Sequence, residues 1–327
     1  MRFTHVVPTA SGIAVSCAAL IVASIWTGCG SDSDGDTSSS STSGGQNCDV
    51  PAGCSEVQSE CMALVDNSTN DKPVLRISNL KINKPDALAS AFVQDLVTDG
   101  VLLNKAECRL DGKGTFTWLL EFDKANGTLR TGGAPPSTPE EGYCFLSGEL
   151  GGQDVSPIVT DVTVEGGAFE FSEGSDVAVP VYLDETGENY VLLPLKSARI
   201  FDATISEDYN CIGEYNNGPD GLSPQDQCFP SNSKPAFLSG AKLDGYITLE
   251  GADSVVIKEL GSTLCTILAG DDDGADPVKK CVRDGTGAIS FKGDWCSTTN
   301  SAGGCQDSVV LGADFAASAV KLADGCN

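Results

Sequence analysis

The chain has 327 residues, with 46 acidic side chains against 20 basic ones, 14 cysteines, 37 glycines and one histidine. A net charge of −26 argues against nucleic acid and anionic lipid surfaces as partners, because those contacts need clustered Lys and Arg. The lone histidine, His5, sits at the start of the chain. A protein that sheds its first segment therefore has none, which removes Ser-His-Asp and Cys-His catalysis, His-based zinc centres and the two-His-one-carboxylate iron site.

Residues 1–28 carry Arg2, no acid, and an apolar run from Ile13 to Ile25. That run is too short to span a bilayer but suits the core of a signal peptide. It closes on Trp26-Thr27-Gly28-Cys29, which resembles the lipobox of bacterial lipoproteins. The resemblance implies that Cys29 is acylated and becomes the new N-terminus. It also implies an exported protein held to the membrane by its lipid, with Gly30 after the cysteine pointing to the outer membrane or cell surface. Ala14-Val15-Ser16-Cys17 is a rival, set aside because it would leave the apolar Ala18 to Trp26 stretch on the mature chain. The chain as a whole is similar to cysteine-rich Gram-negative surface lipoproteins. Residues 29–47 are a Ser/Gly/Asp segment with almost nothing to bury, and they read as a disordered tether.

Setting aside Cys17 and Cys29 leaves twelve cysteines, an even number in an oxidising compartment, and no Cys-x-x-Cys pair. Six disulfides are the expectation. Turn-rich loops suggest three local closures, Cys211–Cys228, Cys265–Cys281 and Cys296–Cys305, each limiting the unfolded chain by about 2–4 kcal/mol. The other six cysteines stay open.

Residues 48–71 form a cysteine-dense lead-in with helical potential over 54–64, and residues 72–327 a β-rich globular domain. Asp86 could cap a helix over Ala87 to Asp99. A meander follows from Thr115 to Ile205: Thr115 to Phe122 and Thr128 to Arg130 around Asn126-Gly127, Asp161 to Glu165 and Ala168 to Phe171 around Gly166-Gly167, then Val177 to Leu183 and Tyr190 to Leu195 around a longer loop. Pro180 and Pro194 push their strands toward an edge or a bulge. Later strands are expected at Ala198 to Ile205, Leu243 to Leu249, Ala288 to Lys292 and Ser308 to Leu311, with a second helix over Ser254 to Leu268 capped by Asp253. The fold class is mainly β: an antiparallel β-sandwich or open barrel with two peripheral helices, stapled by disulfides.

Chemistry is sparse. Ser78-Asn79-Leu80-Lys81 and Ser231-Asn232-Ser233-Lys234 match Ser-x-x-Lys, but neither opens a convincing helix. Asp271, Asp272, Asp273 and Asp276 form the densest carboxylate cluster of the folded part and are the candidate calcium site; no other cofactor is indicated. Trp295, Tyr209 and Tyr215 lie beside cysteines in turn-rich stretches and are the candidate anchors for a glycan or protein ligand. The leading expectation is a non-catalytic envelope lipoprotein that binds a glycan, a peptide or an envelope component. Two alternatives stand beside it. One is a histidine-independent hydrolase using paired carboxylates, which needs two acids converging in a cleft. The other is a lipid-binding barrel, which needs a continuous apolar cavity lined by the strands of 115–205.

Overall fold

Eight strands form the continuous path of an eleven-stranded main sheet: β1 (Val74–Lys84), β2 (Thr117–Asp123), β3 (Thr128–Ala134), β4 (Ile158–Asp161), β5 (Ala168–Tyr182), β6 (Tyr190–Thr204), β7 (Ala241–Thr248) and β8 (Ser308–Ala319). The computed structural model describes residues 48–51, 54, 61–216, 221, 228–229 and 235–326. The expected leader and tether, the Ser231–Lys234 motif and most of the expected 54–64 helix lie outside these residues. In space the strands run 4-3-2-1-8-7-6-5, every neighbouring pair antiparallel. This is the neighbour list of an eight-stranded up-and-down barrel with one pair missing. β4 and β5 follow each other in the chain yet form the two edges of the sheet, so the barrel is nearly closed with a single seam.

The seam begins as a hairpin. Gly166 and Gly167 both take positive φ (57° and 86°), and Glu165 and Ala168 exchange backbone hydrogen bonds of 2.9 and 3.0 Å, as a two-residue turn requires. β4 then peels away after four residues. Farther along, β5 abuts β3 through Pro180, whose Cγ would stand 2.5 Å from a Cβ at Gly133. Proline on one edge and glycine on the other keep the long β5 edge from recruiting a foreign strand. Pro194 lies on β6 just before its ladder with β7 starts at Lys196, so that proline too has one strand neighbour only.

The Asn126-Gly127 connection is a four-residue turn over Lys124–Gly127, not the two-residue form expected from its sequence, and of its two named residues only Gly127 takes positive φ. The difference arises from Asp123, whose carboxylate accepts from the Ala125 and Asn126 backbone N–H groups and the Asn126 side chain and so organises the longer turn. The Asn126 side chain and N–H, with Lys72, pull the Asp123 carboxyl down to about 2. Because the folded value lies below the ordinary one, the turn's contribution is complete above about pH 4 and fades as pH falls toward about 2. Asp123→Ala is expected to lower the urea midpoint at neutral pH, with the gap to the parent protein closing in that acid window.

β1 and the second half of β8 were absent from the expected strands. Arg76, Ser78 and Asn79 make β1 look polar, but all three are buried. β8 continues past Gly312 through Ala313 to Ala319, a run poor in β-formers that pairs with β1 on one side and, on the other, with β7 as far as Phe315 and then with Cys211–Ile212. Residues 288–292 form no strand; an isolated Arg283–Ile289 bridge stands there instead. The first helix, α1, spans Ala91–Val101 and starts from Ser90, so Asp86 does not cap it. The second expected helix is two short ones, α2 (Leu249–Ser254) and α3 (Leu264–Ala269), separated by a small ribbon in which Val256–Ile257 pairs with Ser262–Thr263. β-branched Val255, Val256 and Ile257 and a left-handed Gly261 (φ 58°) interrupt the helix. Asp253 caps neither helix: it lies inside α2, which Thr248 caps by accepting from Gly251 N–H at 3.1 Å, and α3 starts from Thr263.

All twelve described cysteines pair, with Cα–Cα separations of 5.0–5.7 Å. Cys265–Cys281 and Cys296–Cys305 close local loops. The proposed Cys211–Cys228 closure does not form: Cys211 pairs with Cys61 and Cys228 with Cys48. The reason is that Cys211 is fixed by Cys211–Ile212 pairing onto β8, and its sulfur also accepts from Cys61 N–H at 3.1 Å. Together with Cys54–Cys108, these bridges fasten the lead-in to the outside of the barrel, where Tyr215 and Phe237 join its core. Cys144–Cys326 ties the C-terminus.

Candidate functional site

Two packed clusters occupy the barrel, one at each end. One is a plug built from Phe122, Phe169, Phe171, Phe315, Leu120 and Leu129. The other is a cap in which α2 and α3 lie over Ile247, Val309 and Leu195. Between them lies an apolar cavity of about 280 Å³, lined by members of both clusters. The ladder register fixes one of its rings, since Phe171, Ile200, Leu243, Ala313 and Ile82 are successive cross-strand partners and so share a face.

β5 shows most clearly that the space is unfilled. Val177, Val179 and Val181 line the cavity and are only half-buried, whereas Ala178, on the opposite face, is buried beneath Val155 and Leu192. Burial on this strand is the reverse of an ordinary sheet, in which inward-facing aliphatics are the most covered. An empty void of this size would cost about 7 kcal/mol at roughly 24 cal/mol per Å³, comparable with the net stability of a whole domain. A fold under that strain gains from six disulfides, and gains further from an apolar occupant.

One wall is a helix. β2 pairs with β1 only along Val74–Arg76, after which the two strands part. α1 covers the gap, with Val93, Val97 and Gly100 lining the cavity. The Gln94 carboxamide substitutes for the missing strand, accepting from Ile82 N–H at 2.9 Å and donating to Leu80 C=O at 2.8 Å. At the other end of α1, the carbonyls of Asp99, Gly100 and Val101 take Lys113 N–H, Phe116 N–H and the Arg76 guanidinium. Arg76 is fully buried and donates also to Ile77 C=O, Phe116 C=O and Thr117 Oγ1. It is the joint at which β1, β2 and α1 separate.

Polar groups on the cavity wall are few. Asp244 is the sole carboxylate among the described lining residues, and it is held in a two-pronged pair with Arg199 (Nη2–Oδ2 2.8 Å). Trp118 turns its indole N–H to Thr131 Oγ1 at 2.8 Å, and Thr131 passes its own proton to Leu119 C=O at 2.9 Å. Trp118 is thus a half-buried wall residue with its one donor satisfied.

The residues singled out from sequence lie elsewhere. Asp271, Asp272, Asp273 and Asp276 do not appear in any described group of three ligand atoms within 4.8 Å of one another. The Asp272 carboxylate binds Lys279 and Gly274 N–H, and Asp273 accepts from Lys280 and Ala275 N–H; those contacts hold both carboxyls below the ordinary range. The two groups that do gather, Asp253 with Cys265 and Cys281, and Asp307 with Cys296 and Cys305, contain disulfide sulfurs, which are not thiolate ligands. Asp253 and Glu250 converge on Arg283 at 2.7–2.8 Å. Burial pushes the Asp253 carboxyl up, but Cys281 N–H, Arg283 and Thr263 outweigh it and leave it lowered, a clamp between α2 and the Cys281 loop.

The three aromatics do not form a common face. Tyr215 is buried against Phe237 and donates to Cys108 C=O at 3.3 Å. Tyr209 packs edge-on against Phe122, with Lys124 Nζ 4.9 Å from its ring centre. Trp295 lies beside Tyr246 at 6.3 Å and donates to Asn300. Ser78 meets Ser318 within the sheet, while Lys81 is exposed, so the first Ser-x-x-Lys match is structural. The cavity's own signal was the aliphatic pattern of 177–183 and 191–195, legible as strands but not as strands facing a void. The chain matches no protein-family model, no curated protein and no solved structure.

Proposed function

We propose that this protein is an exported lipoprotein, anchored through Cys29, that binds the hydrocarbon part of a lipid or similar apolar molecule inside its barrel. The observation that carries the reading is the cavity, lined mostly by aliphatic and aromatic side chains and spared the packing that the two ends of the same barrel receive. The charged groups of the lining are the exposed Arg199–Asp244 pair and the exposed Lys113, which lies 3.9 Å from Asp99, so the rest of the wall favours hydrocarbon: a polar headgroup among those apolar side chains would lose its water without compensation. The same feature disfavours a paired-carboxylate hydrolase working in this cavity. A carrier or sensor of lipids on an acidic tether is consistent with the envelope location that the lipobox implies.

The test is binding of phenylnaphthylamine, a neutral apolar fluorophore, to the purified disulfide-bonded protein, combined with native mass spectrometry of material isolated from membranes. One saturable site, displaced by fatty acid, and an extractable lipid adduct are the expected results. Absence of both sinks the reading. Intact mass separately tests the anchor: a retained Met1 removes the lipoprotein half of the proposal.

A further inference from the structure

The two ends of the cavity differ in what closes them. At the cap end the lining includes Leu260, which is 48% exposed, and half-buried Ile257 and Ile267 on the short ribbon and α3. At the plug end the wall is made of side chains that are themselves part of solid core: Phe171 is 4% exposed, Phe315 is fully buried, and Phe122 and Phe169 stand behind them edge to face at 5.1 Å. A hydrocarbon chain advancing along β8 from the exposed end therefore meets aromatic rings.

Register places these rings in order. Along β8, Leu311, Ala313 and Phe315 all line the cavity, and Ala313 is level with Phe171 through Leu243 and Ile200. One step deeper, Phe315 is level with Leu80 of β1 and Ala241 of β7. Small Ala313 opposite large Phe171 keeps the ring open on one side, and Phe315 closes the floor beneath it. On β8 the lining runs from Leu311 down to Phe315, about 13 Å at 3.3 Å per residue, a span suited to a medium-length alkyl chain.

Resting on the lipid-binding reading, we infer that Phe171 and Phe315 are specificity-determining residues that measure the length of a single alkyl chain. Hydrocarbon gains affinity with each methylene buried, about fourfold per group. That gain continues while the chain tip advances toward the floor and ends when it meets the rings, because pushing farther demands overpacking of a core already at native density.

The experiment is displacement of phenylnaphthylamine by a homologous series of saturated fatty acids from octanoate to stearate. In the parent protein affinity should climb by about fourfold per methylene and then level at one length. Phe171→Ala removes the ring that narrows the layer above the Phe315 floor and should move the plateau to longer chains. Ala313→Phe adds a ring one layer nearer the exposed end and should move it to shorter chains; it needs no core deletion, so it reports even if Phe171→Ala fails to fold. Opposite shifts in the two variants support the ruler. A plateau that stays at the parent length in a folded variant overturns the ruler and leaves lipid binding intact, whereas failure of every acid to displace the probe from folded parent protein overturns both.

Discussion

Val179→Trp is expected to cut the affinity for apolar ligand by on the order of 100-fold, or about 2.7 kcal/mol, while leaving the fold intact. Val179 lines the cavity and packs partly against both the plug and the cap clusters, so an indole there projects into the middle of the void. In a filled core such an enlargement forces neighbours off their rotamers and costs about 1–3 kcal/mol. Here the ring enters unoccupied space and covers half-buried aliphatics, so the urea midpoint of ligand-free protein should hold or rise. The two readouts together are diagnostic. Loss of binding with retained stability marks a cavity that a ligand uses. Marked destabilisation with undiminished binding would mean that the site lies elsewhere and that this region is packed in solution.

Much of the barrel was legible because its signals are local. Gly166-Gly167 dictates a hairpin through its backbone freedom, and alternating aliphatics mark β5 and β6. Pro180 and Pro194 sit where a missing N–H is tolerated, at an edge and beyond the end of a ladder. What escaped depended on partners far along the chain. β1 reads as polar because the acceptors that satisfy the buried Arg76 are carbonyls contributed from Val101 and Phe116, and no pattern within Val74–Lys84 announces them. β8 reads as too alanine-rich for a strand, yet small side chains are what permit it to lie between β1 and β7 while keeping room at Ala313.

The site was harder to read than the fold for a related reason. A void is a property of what fails to meet across a barrel, and the same Val177-Ala178-Val179-Pro180-Val181 segment would serve equally well facing a packed interior. The aromatics and acids that stand out in sequence have local partners: Asp271 to Asp273 accept from N–H groups of their own turn, and Tyr215 packs in the cluster that includes the stapled lead-in. Cysteine spacing succeeded only where the loop was short. Separations of 180, 150 and 182 residues for Cys48–Cys228, Cys61–Cys211 and Cys144–Cys326 are set by the barrel bringing distant segments together, so no spacing argument reaches them.

Arg76→Met is expected to destabilise the protein by about 2–4 kcal/mol. Two effects oppose one another. Burial lowers the guanidinium's affinity for its proton, with the Tyr143 ring 5.5 Å away, but arginine's ordinary value is so high that the side chain stays charged, and an apolar replacement relieves the cost of desolvating that charge. Against this, methionine leaves the carbonyls of Ile77, Val101 and Phe116 without the donor that reaches all three, at a place where β1 has already lost β2 and α1 has reached its last turn. Unsatisfied acceptors in a fully buried joint cost about 1–3 kcal/mol each, which exceeds the relief. Arg76→Lys should recover little, because one ammonium cannot span three divergent carbonyls. Urea unfolding of the disulfide-bonded protein measures the loss, and hydrogen exchange should show the Phe116 amide, which donates to Gly100 C=O, losing protection first. A variant as stable as the parent would mean that the desolvation cost prevails and that α1 is held to the barrel by Gln94 and apolar contact alone.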